Sequence, residues 1–275
     1  MIARQLGINT FGFLWRSSLL DAVTRMGRRG YKIFDAIVCP PHFDPISMSS
    51  LERRGLRHEI ADMGAAINSL NMPSMDQNLA SPFPEMIAYT IDQYRRLIDA
   101  AVELEVGSVV VLPGKAHPLL SPPADDLRRW MTESMAAVVG HAKACGIRVV
   151  IENHPLTILP RASDIAEFIA TLGEPHVGLC YDVANAAYFG ESPALGIGAS
   201  ADRLAMVHLS DTSVGRFRHD PIGQGTVDFE ATRAALDDIG FDGPVMLEIV
   251  SEDPEPDAVS SHRRLVDMGW PAIDR

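Results

Sequence analysis

Segments typical of β-strands and of α-helices alternate along the whole sequence. Apolar runs predict eight strands, at Gln5–Asn9, Tyr31–Phe34, Ala66–Leu70, Val109–Leu112, Arg148–Ile151, Val177–Tyr181, Leu204–Val207 and Val245–Leu247. Helix-type segments follow them, at Ser17–Arg29, Ser49–Ala65, Pro84–Glu105, Ala124–Cys145, Ser163–Thr171, Ala186–Gly196, Phe229–Ile239 and Pro256–Met268. Ser163 is the predicted N-cap of its helix, and Gly107, Gly146 and Gly240 are predicted helix stops. Successive βα units with no linker between them favour a closed (β/α)8 barrel, the TIM-barrel fold, over a doubly wound sheet.

The size and composition of the chain fit one such barrel. The sequence has 275 residues, of which 47% are hydrophobic, and barrels of this type take about 250 residues. We therefore expect a single domain over residues 1–275. No run of about 18 apolar residues occurs, so the sequence predicts no membrane-spanning helix.

The expected compartment follows from the amino terminus and the cysteines. Met1–Asn9 lacks the long apolar segment of a secretory signal peptide and is interpreted as the first strand. Cys39, Cys145 and Cys180 are odd in number and widely spaced, which argues against a disulfide framework and against a thiolate metal cluster. A cytoplasmic protein is the simplest expectation.

The charge balance bears on the partners of the chain. Lysine and arginine number 24 against 36 aspartate and glutamate residues, and the formal net charge is −12. Nucleic-acid binding takes a basic surface that displaces counterions from phosphates. We therefore expect no nucleic-acid partner, and we attribute the acidity to solubility and to a carboxylate-rich metal site.

The last four predicted strands each end on a side chain that can bind a metal. The residues that follow them are Glu152, Asp182, His208 and Glu248. Singly, such a carboxylate is more often a helix cap or an ion-pair partner, and such a histidine is more often packed in a core. The carboxyl ends of the strands in a parallel barrel, however, all open onto one face. Three oxygen donors and one imidazole converging there suit one Mn²⁺, Mg²⁺ or Co²⁺ ion and tolerate Zn²⁺.

Four motifs in the second half of the chain carry a family resemblance. They are Ile151–His154, Cys180–Asn185, Val207–Asp211 and Gly223–Phe229. These motifs resemble those of the xylose isomerase-like TIM barrel superfamily, whose members include sugar phosphate isomerases and epimerases, inosose dehydratase and endonuclease IV. The resemblance implies that the four strand-end residues are metal ligands. It also implies that Glu152 and Glu248 act as an acid/base pair on opposite faces of a substrate whose carbonyl the metal polarises.

The sequence departs from the ketose 3-epimerase branch of this superfamily. Those enzymes usually have a histidine where this chain has Asn185, an arginine where it has Val214, and a substrate-binding glutamate where it has Ile158. Arg216 and Arg218 are candidates to replace the arginine. The departures argue against standard hexulose 3-epimerase activity and leave an isomerase or epimerase of another substrate.

The sequence also departs from the endonuclease IV branch. That enzyme uses a trinuclear zinc site, and Leu112, Asn185 and Phe217 stand where further ligands would be needed. The remaining residues support one metal ion only, which leaves His219 free to face the substrate.

Other polar residues are expected around the metal. Candidates for substrate binding are Asn185, His219, Arg218, His154 and Asn9; loop capping is an equal alternative for His154. Asp211 is expected to orient His208 or its own loop from behind the ligands, with an N-cap role as the alternative. Asp35 and Asn71 also end predicted strands and are expected to point toward the barrel mouth. Lys115 could meet a phosphate, although a solvated loop charge is the favoured interpretation.

These observations predict a divalent-metal-dependent isomerase or epimerase of a small sugar, keto-sugar or related polyhydroxy carbonyl compound. A dehydratase or lyase is the first alternative, because it would remove the same proton and then expel a neighbouring hydroxyl. The sequence does not separate these two reactions. A repair endonuclease and a non-catalytic sugar-binding barrel are weaker alternatives. The sequence is compatible with a homo-oligomer.

Overall fold

The computed structural model describes residues 6–273 and contains a closed barrel of eight parallel strands. The strands are β1 (Leu6–Asn9), β2 (Ile33–Ile37), β3 (Ala66–Asn71), β4 (Ser108–Val111), β5 (Arg148–Glu152), β6 (Val177–Asp182), β7 (Leu204–Leu209) and β8 (Val245–Leu247). Each strand pairs with the next along the chain, and β8 pairs with β1 to close the barrel. The predicted (β/α)8 fold is confirmed. Gln5, the predicted start of the first strand, lies outside the described residues.

Helices follow the strands and cover the outside of the barrel. They are α1 (Leu19–Arg28), α2 (Ser50–Asp62), α3 (Pro84–Leu104), α4 (Ala124–Cys145), α5 (Ala162–Leu172), α6 (Val183–Tyr188), α7 (Pro193–Ser200), α8 (Phe229–Asp238) and α9 (Pro254–Asp267). Helix residues such as Leu97 and Phe168 are buried in one continuous core with strand residues such as Val109 and Ile151. Within residues 6–273, no helix has both the length and the apolarity needed to cross a bilayer.

One predicted helix is two helices in the structure. The sequence predicts a single helix over Ala186–Gly196, whereas the chain forms α6, a turn and then α7. Gly190 in this turn has a φ of +67°, a left-handed conformation that glycine adopts without steric cost. Pro193 opens α7 after Ser192, and proline cannot continue a preceding helix because it lacks the amide hydrogen. The single-helix prediction is therefore wrong.

Two helix-end predictions are also wrong. Helix α5 begins at Ala162 with Arg161 as its N-cap residue, not with Ser163. Helix α3 ends before Gly107, because Glu105 itself takes the left-handed conformation with a φ of +55°. By contrast, Gly146 has a φ of +71° and caps α4 as predicted.

The two-residue repeat of the strands places a layer of apolar side chains beneath the barrel mouth. Side chains two positions apart on a strand point to the same side of the sheet. Val110, Val150, Cys180, Met206 and Met246 are buried in a cluster separate from the main core. The last four of these residues each lie two positions before one of the four predicted metal ligands. We conclude that the side chains of the four predicted ligands also point into the barrel, one layer closer to its mouth.

Candidate metal centre

Four neighbouring strands bring the predicted ligands to one face of the barrel. Glu152 and Asp182 are the last residues of β5 and β6, His208 is next to last in β7, and Glu248 directly follows β8. Asp182 is the register partner of His208 across the β6–β7 pair. All four residues are buried. Residues spread over about a hundred positions of sequence thus share one site because the barrel closes.

The side chains of these residues converge on one nitrogen. His208 Nδ1 lies 3.1 Å from Glu152 Oε1, 3.0 Å from Glu248 Oε2 and 3.9 Å from Asp182 Oδ2. One donor atom from each of the four residues lies within 4.8 Å of every other. A single ion can therefore be reached by all four donors.

The chemistry of the cluster fits a divalent cation. Asp182 Oδ2 is buried and accepts no hydrogen bond from the described residues, and Glu248 Oε2 is buried 3.0 Å from His208 Nδ1 without a well-directed hydrogen bond. A buried, ionised carboxylate without a partner is strongly unfavourable, and such groups are usually paired or bound to a metal. Three carboxylates and one imidazole are donors that Mn²⁺, Mg²⁺, Co²⁺ and Zn²⁺ accept.

Without a cation, this cluster limits its negative charge by holding protons. Burial, reinforced by the nearby Glu248 and Glu152, raises the pKa of Asp182 well above its usual value. Burial also raises the pKa of Glu152. Burial opposes the charged form of His208, but the nearby Cys180, Glu152 and Glu248 outweigh it and raise the pKa of His208 well above its usual value. Because a metal must displace these protons, we expect metal affinity to fall as the pH is lowered.

Asp35 lies next to the other ring nitrogen of His208, and it is the central residue of β2 rather than the residue after the strand that the sequence predicts. Its Oδ2 atom lies 3.1 Å from His208 Nε2. The same carboxylate accepts hydrogen bonds from Asn9 Nδ2 at 2.7 Å, Ser69 Oγ at 2.6 Å and Asn71 Nδ2 at 3.1 Å. A carboxylate behind a metal-binding histidine fixes the ring orientation and increases the basicity of the nitrogen that faces the metal. Asp35 therefore positions His208.

Asn9 lies in this supporting network and not on the cavity wall. Its amide nitrogen donates to Asp35, and its amide oxygen accepts from the Phe11 backbone N–H at 2.8 Å. Both ends of the side chain are thus engaged by protein. This placement favours a supporting role over the predicted substrate contact.

Asp211 orders its own loop and does not contact His208. Its carboxylate accepts hydrogen bonds from the backbone N–H groups of Thr212, Gly223 and Val227, at 2.9, 2.8 and 3.1 Å. The residue is buried, so these bonds satisfy amides that water cannot reach. The sequence predicts that Asp211 orients either His208 or its own loop, and the structure shows the contacts to the loop. Asp35 is the carboxylate that lies next to His208.

We expect Asp35→Asn to weaken metal binding by about 10- to 100-fold, the usual effect of removing a carboxylate behind a metal-binding histidine. The amide keeps the size of the side chain and loses its charge. Asp62→Asn, an exposed substitution at the end of α2, is the matched control and should leave affinity unchanged. Competition with a chromophoric chelator measures both variants. Equal affinities in wild type and Asp35→Asn would contradict the positioning role.

Asn153 links the ends of β5 and β6 through side-chain hydrogen bonds. Its amide donates to the Asp182 carbonyl at 3.0 Å, and its amide oxygen accepts from the Asp182 N–H at 2.8 Å. Asn185 then donates from Nδ2 to the Asn153 carbonyl at 3.0 Å. These bonds fix Asp182 relative to Glu152, a structural role that the sequence alone does not distinguish from substrate binding.

A cavity of about 550 Å³ opens above the cluster, within the range of about 300–1,000 Å³ that small-molecule sites occupy. Its polar lining comprises Asn71, Ser74, Lys115, Glu152, His154, Thr157, Asn185, Arg218, His219, Asp220 and Glu248. Its apolar lining includes Phe11, Leu112 and Phe217. Two of the four cluster residues, Glu152 and Glu248, are thus part of the wall.

The structure brings the other predicted substrate-binding residues to this cavity. His219 Nδ1 lies 2.9 Å from Ser210 Oγ, and 3.6 and 3.7 Å from carboxylate oxygens of Asp182 and Glu248. Burial lowers the pKa of His219. Burial, with His219 nearby, also lowers the pKa of His154 to about 4. Both imidazoles are therefore neutral near pH 7. His154 Nδ1 accepts a hydrogen bond from the Leu156 N–H at 3.1 Å, so this histidine caps its loop and keeps its Nε2–H as a donor.

Two basic residues line the outer part of the cavity. The guanidinium of Arg218 binds both carboxylate oxygens of Asp220, at 2.7 and 2.9 Å. Lys115 Nζ donates to the carbonyl oxygens of Ser74 and Met75, at 2.6 and 3.0 Å. Burial lowers the pKa of Lys115. The sequence favours a solvated charge for this lysine, whereas its amine is held against the cavity wall.

The fold and the site define the class of this protein, a (β/α)8 barrel with three carboxylates and one histidine clustered at its mouth. Residues 20–268 match the family described as xylose isomerase-like TIM barrel. The chain belongs to this family. The resemblance carried by the four sequence motifs is thus confirmed.

The individual proteins that match this chain have low sequence identity to it. L-ribulose-5-phosphate 3-epimerase UlaE of Salmonella paratyphi C is 26% identical over 131 residues, which cover 48% of this chain and 46% of that enzyme. The crystal structure of a D-tagatose 3-epimerase-like protein superposes with a TM-score of 0.84 and 21% identity over 96% of each chain. IolI protein with a bound zinc atom superposes with a TM-score of 0.82 and 18% identity, covering 96% of this chain and 97% of that one. The two structural matches establish the shared fold.

Proposed function

We propose that this chain is a divalent-metal-dependent isomerase or epimerase of a small sugar, keto-sugar or related polyhydroxy carbonyl compound. One observation carries the proposal: Glu152 and Glu248 belong both to the buried cluster and to the cavity wall, whereas Asp182 and His208 lie beneath them. Two ligands that also face the substrate space are suited to proton transfer. The names of the relatives, which include sugar and sugar-phosphate 3-epimerases, support this substrate class.

Proton transfer next to a carbonyl is the chemistry that this arrangement favours. A divalent metal held by the four ligands would polarise the carbonyl and stabilise the negative charge that develops on its oxygen. Glu152 approaches the cavity from the end of β5, and Glu248 approaches it from the end of β8. Two carboxylates that reach a substrate from different strands can remove a proton from one face and return it to the other.

The remaining polar residues of the cavity are placed to bind hydroxyl groups. His219, His154 and Asn185 offer neutral donors and acceptors beside the two glutamates. The side-chain oxygen of Asn185 is buried and has no hydrogen-bond partner among the described residues. It is therefore available to accept a hydrogen bond from a substrate hydroxyl.

We expect His219→Ala and Asn185→Ala to retain the metal and to lower activity by about 10-fold each, the effect of losing one hydrogen bond to the substrate. His117→Ala is the control for His219→Ala, because the His117 contacts seen within residues 6–273 are hydrogen bonds accepted from the Leu119 and Leu120 N–H groups, and this histidine does not line the cavity. Metal content and turnover are measured on the same preparations. Loss of metal from His219→Ala would instead make this histidine a ligand.

The function is tested with metal-free protein reloaded in turn with Mn²⁺, Co²⁺, Mg²⁺ and Zn²⁺. Each form is incubated in D₂O with ketopentoses, ketohexoses and their terminal phosphates. We expect at least one compound to be converted with deuterium on the carbon next to its carbonyl, as seen by NMR. A product lacking one water would identify the dehydratase alternative. Conversion without deuterium incorporation would contradict the proposed proton transfer.

A further inference from the structure

A second group of metal-binding side chains lies outside the barrel, between α3 and α4. His141 and Cys145 are four residues apart in α4, so they lie on one face of that helix. Asp99 belongs to α3, which packs beside α4. His141 Nε2 is 2.7 Å from Asp99 Oδ1, and Cys145 Sγ is 3.8 and 3.9 Å from these two atoms. The three donor atoms thus form a small triangle.

The orientation of the imidazole argues against a catalytic triad. In a triad, the nucleophile and the acid contact opposite nitrogens of the histidine, so that a proton can pass through the ring. In this group, both Asp99 and Cys145 approach the same atom, His141 Nε2. Three different donor atoms that lie within 3.9 Å of one another are instead close enough to bind one ion together.

We propose that Asp99, His141 and Cys145 form a binding site for a zinc-like divalent cation, with solvent completing the coordination. Thiolate, imidazole and carboxylate are the three protein ligand types that Zn²⁺ prefers. When the ion binds, the Cys145 thiol releases its proton to solvent and a metal–sulfur bond forms. The hydrogen bond between His141 and Asp99 is replaced by one metal bond to each; the hydrogen leaves His141 Nε2 and the ring takes the tautomer protonated on Nδ1, with solvent as the carrier.

The distances require only a small adjustment of the side chains. Tetrahedral zinc with bond lengths of about 2.0–2.3 Å separates its donor atoms by about 3.3–3.6 Å. The Asp99–His141 distance of 2.7 Å must therefore open, and the two sulfur distances must shorten slightly. The Asp99 side chain is 61% exposed and can make this movement without disturbing the core.

This site is independent of the metal centre at the barrel mouth. Cys145 ends α4 and precedes Arg148, the first residue of β5, by three positions. Glu152 lies at the other end of the same strand. The two sites are therefore at opposite ends of the barrel. We call the group of Asp99, His141 and Cys145 the outer site; an ion bound there would link α3 to α4.

The test follows alkylation of each cysteine in the full-length protein by peptide mass spectrometry, with Zn²⁺ as the probe. Alkylation requires a free thiolate, so saturating Zn²⁺ is expected to slow the reaction of Cys145 by at least about tenfold. Cys39, which is also partly exposed, is the internal control and should react at an unchanged rate. His141→Ala and Asp99→Asn should remove the protection of Cys145. His208→Ala, at the barrel mouth, should retain it.

Each other outcome overturns the proposal. Equal alkylation of Cys145 with and without Zn²⁺ would show that no site forms. Protection that persists in both His141→Ala and Asp99→Asn would show that the sulfur binds zinc without its neighbours. Protection that disappears in His208→Ala would assign the effect to the barrel mouth. His141 and Asp99 are partly exposed, so their variants are expected to fold, which unfolding midpoints verify.

Discussion

Replacing His208 by alanine is expected to abolish metal binding at the barrel mouth and, with it, catalysis. The imidazole supplies the single nitrogen donor of the cluster, and it lies within 3.1 Å of Glu152 and Glu248. Its loss leaves three buried carboxylates facing one another. Removing one partner from a buried charge cluster typically lowers the free energy of unfolding by about 3–5 kcal/mol. Because His208 is a direct donor to the ion and Asp35 acts only through it, the loss of metal affinity should exceed the 10- to 100-fold loss expected for Asp35→Asn.

Elemental analysis of purified protein measures this prediction. The ions are counted in a Cys145→Ser background, so that the outer site does not contribute. One ion per chain is expected with His208 and none with His208→Ala. His262→Ala is the control for loss of a buried histidine, because His262 bonds to Tyr31 and to the Pro271 carbonyl and should keep the metal. Unchanged metal content in His208→Ala, or two or three tightly bound ions with His208 present, would contradict the mononuclear centre.

The same ion is expected to stabilise the fold. A ligand present at 100 times its Kd and bound only to the native state adds about 2.7 kcal/mol. Chelation should therefore lower the unfolding temperature of the Cys145→Ser protein. The same treatment should leave the Cys145→Ser/His208→Ala protein unchanged. This comparison separates loss of the ion from a direct effect of the substitution on folding.

The fold and the clustering of the four candidate ligands could be predicted because they follow from local sequence. Strand ends are recognisable as the point where an apolar run meets a polar residue, and a parallel barrel brings all such ends to one face. The two-residue repeat that links Val150 to Glu152 and Met206 to His208 is also visible in the sequence. Neither inference needs knowledge of which distant segments touch.

The supporting residues could not be predicted because their roles depend on contacts between distant segments. Asp35 and Asp211 are both acidic residues that follow predicted strands, and only the closed barrel shows that Asp35 is the one beside His208. The same reason applies to the outer site. The four-residue spacing of His141 and Cys145 can be read from the sequence, whereas Asp99 lies beside them only because α3 packs against α4. The break between α6 and α7 is a different case, because Gly190 and Pro193 are local sequence signals that are sufficient to predict the end of one helix and the start of the next.

Replacing Glu152 or Glu248 by glutamine is expected to lower turnover by about 10²–10⁴-fold, the usual contribution of a general acid or base. Glutamine keeps the shape of the side chain and one oxygen that can still coordinate an ion, but it cannot take up a proton near neutral pH. Asp182→Asn is the matched control, because Asp182 belongs to the cluster but does not line the cavity. Its activity should recover at higher metal concentration, whereas that of the two glutamine variants should not.

The two glutamine variants should also differ in the proton that they exchange. If each glutamate serves one face of the substrate, Glu152→Gln leaves Glu248 able to remove the proton of one epimer. In D₂O that epimer should acquire deuterium without being converted, and the other epimer should remain unlabelled. Glu248→Gln should show the reverse pattern. A metal that only polarised the carbonyl would give no such asymmetry, because it would acidify the same carbon in both epimers. Turnover retained by both metal-loaded variants, with no deuterium in the product, would contradict the assignment of proton transfer to these two residues.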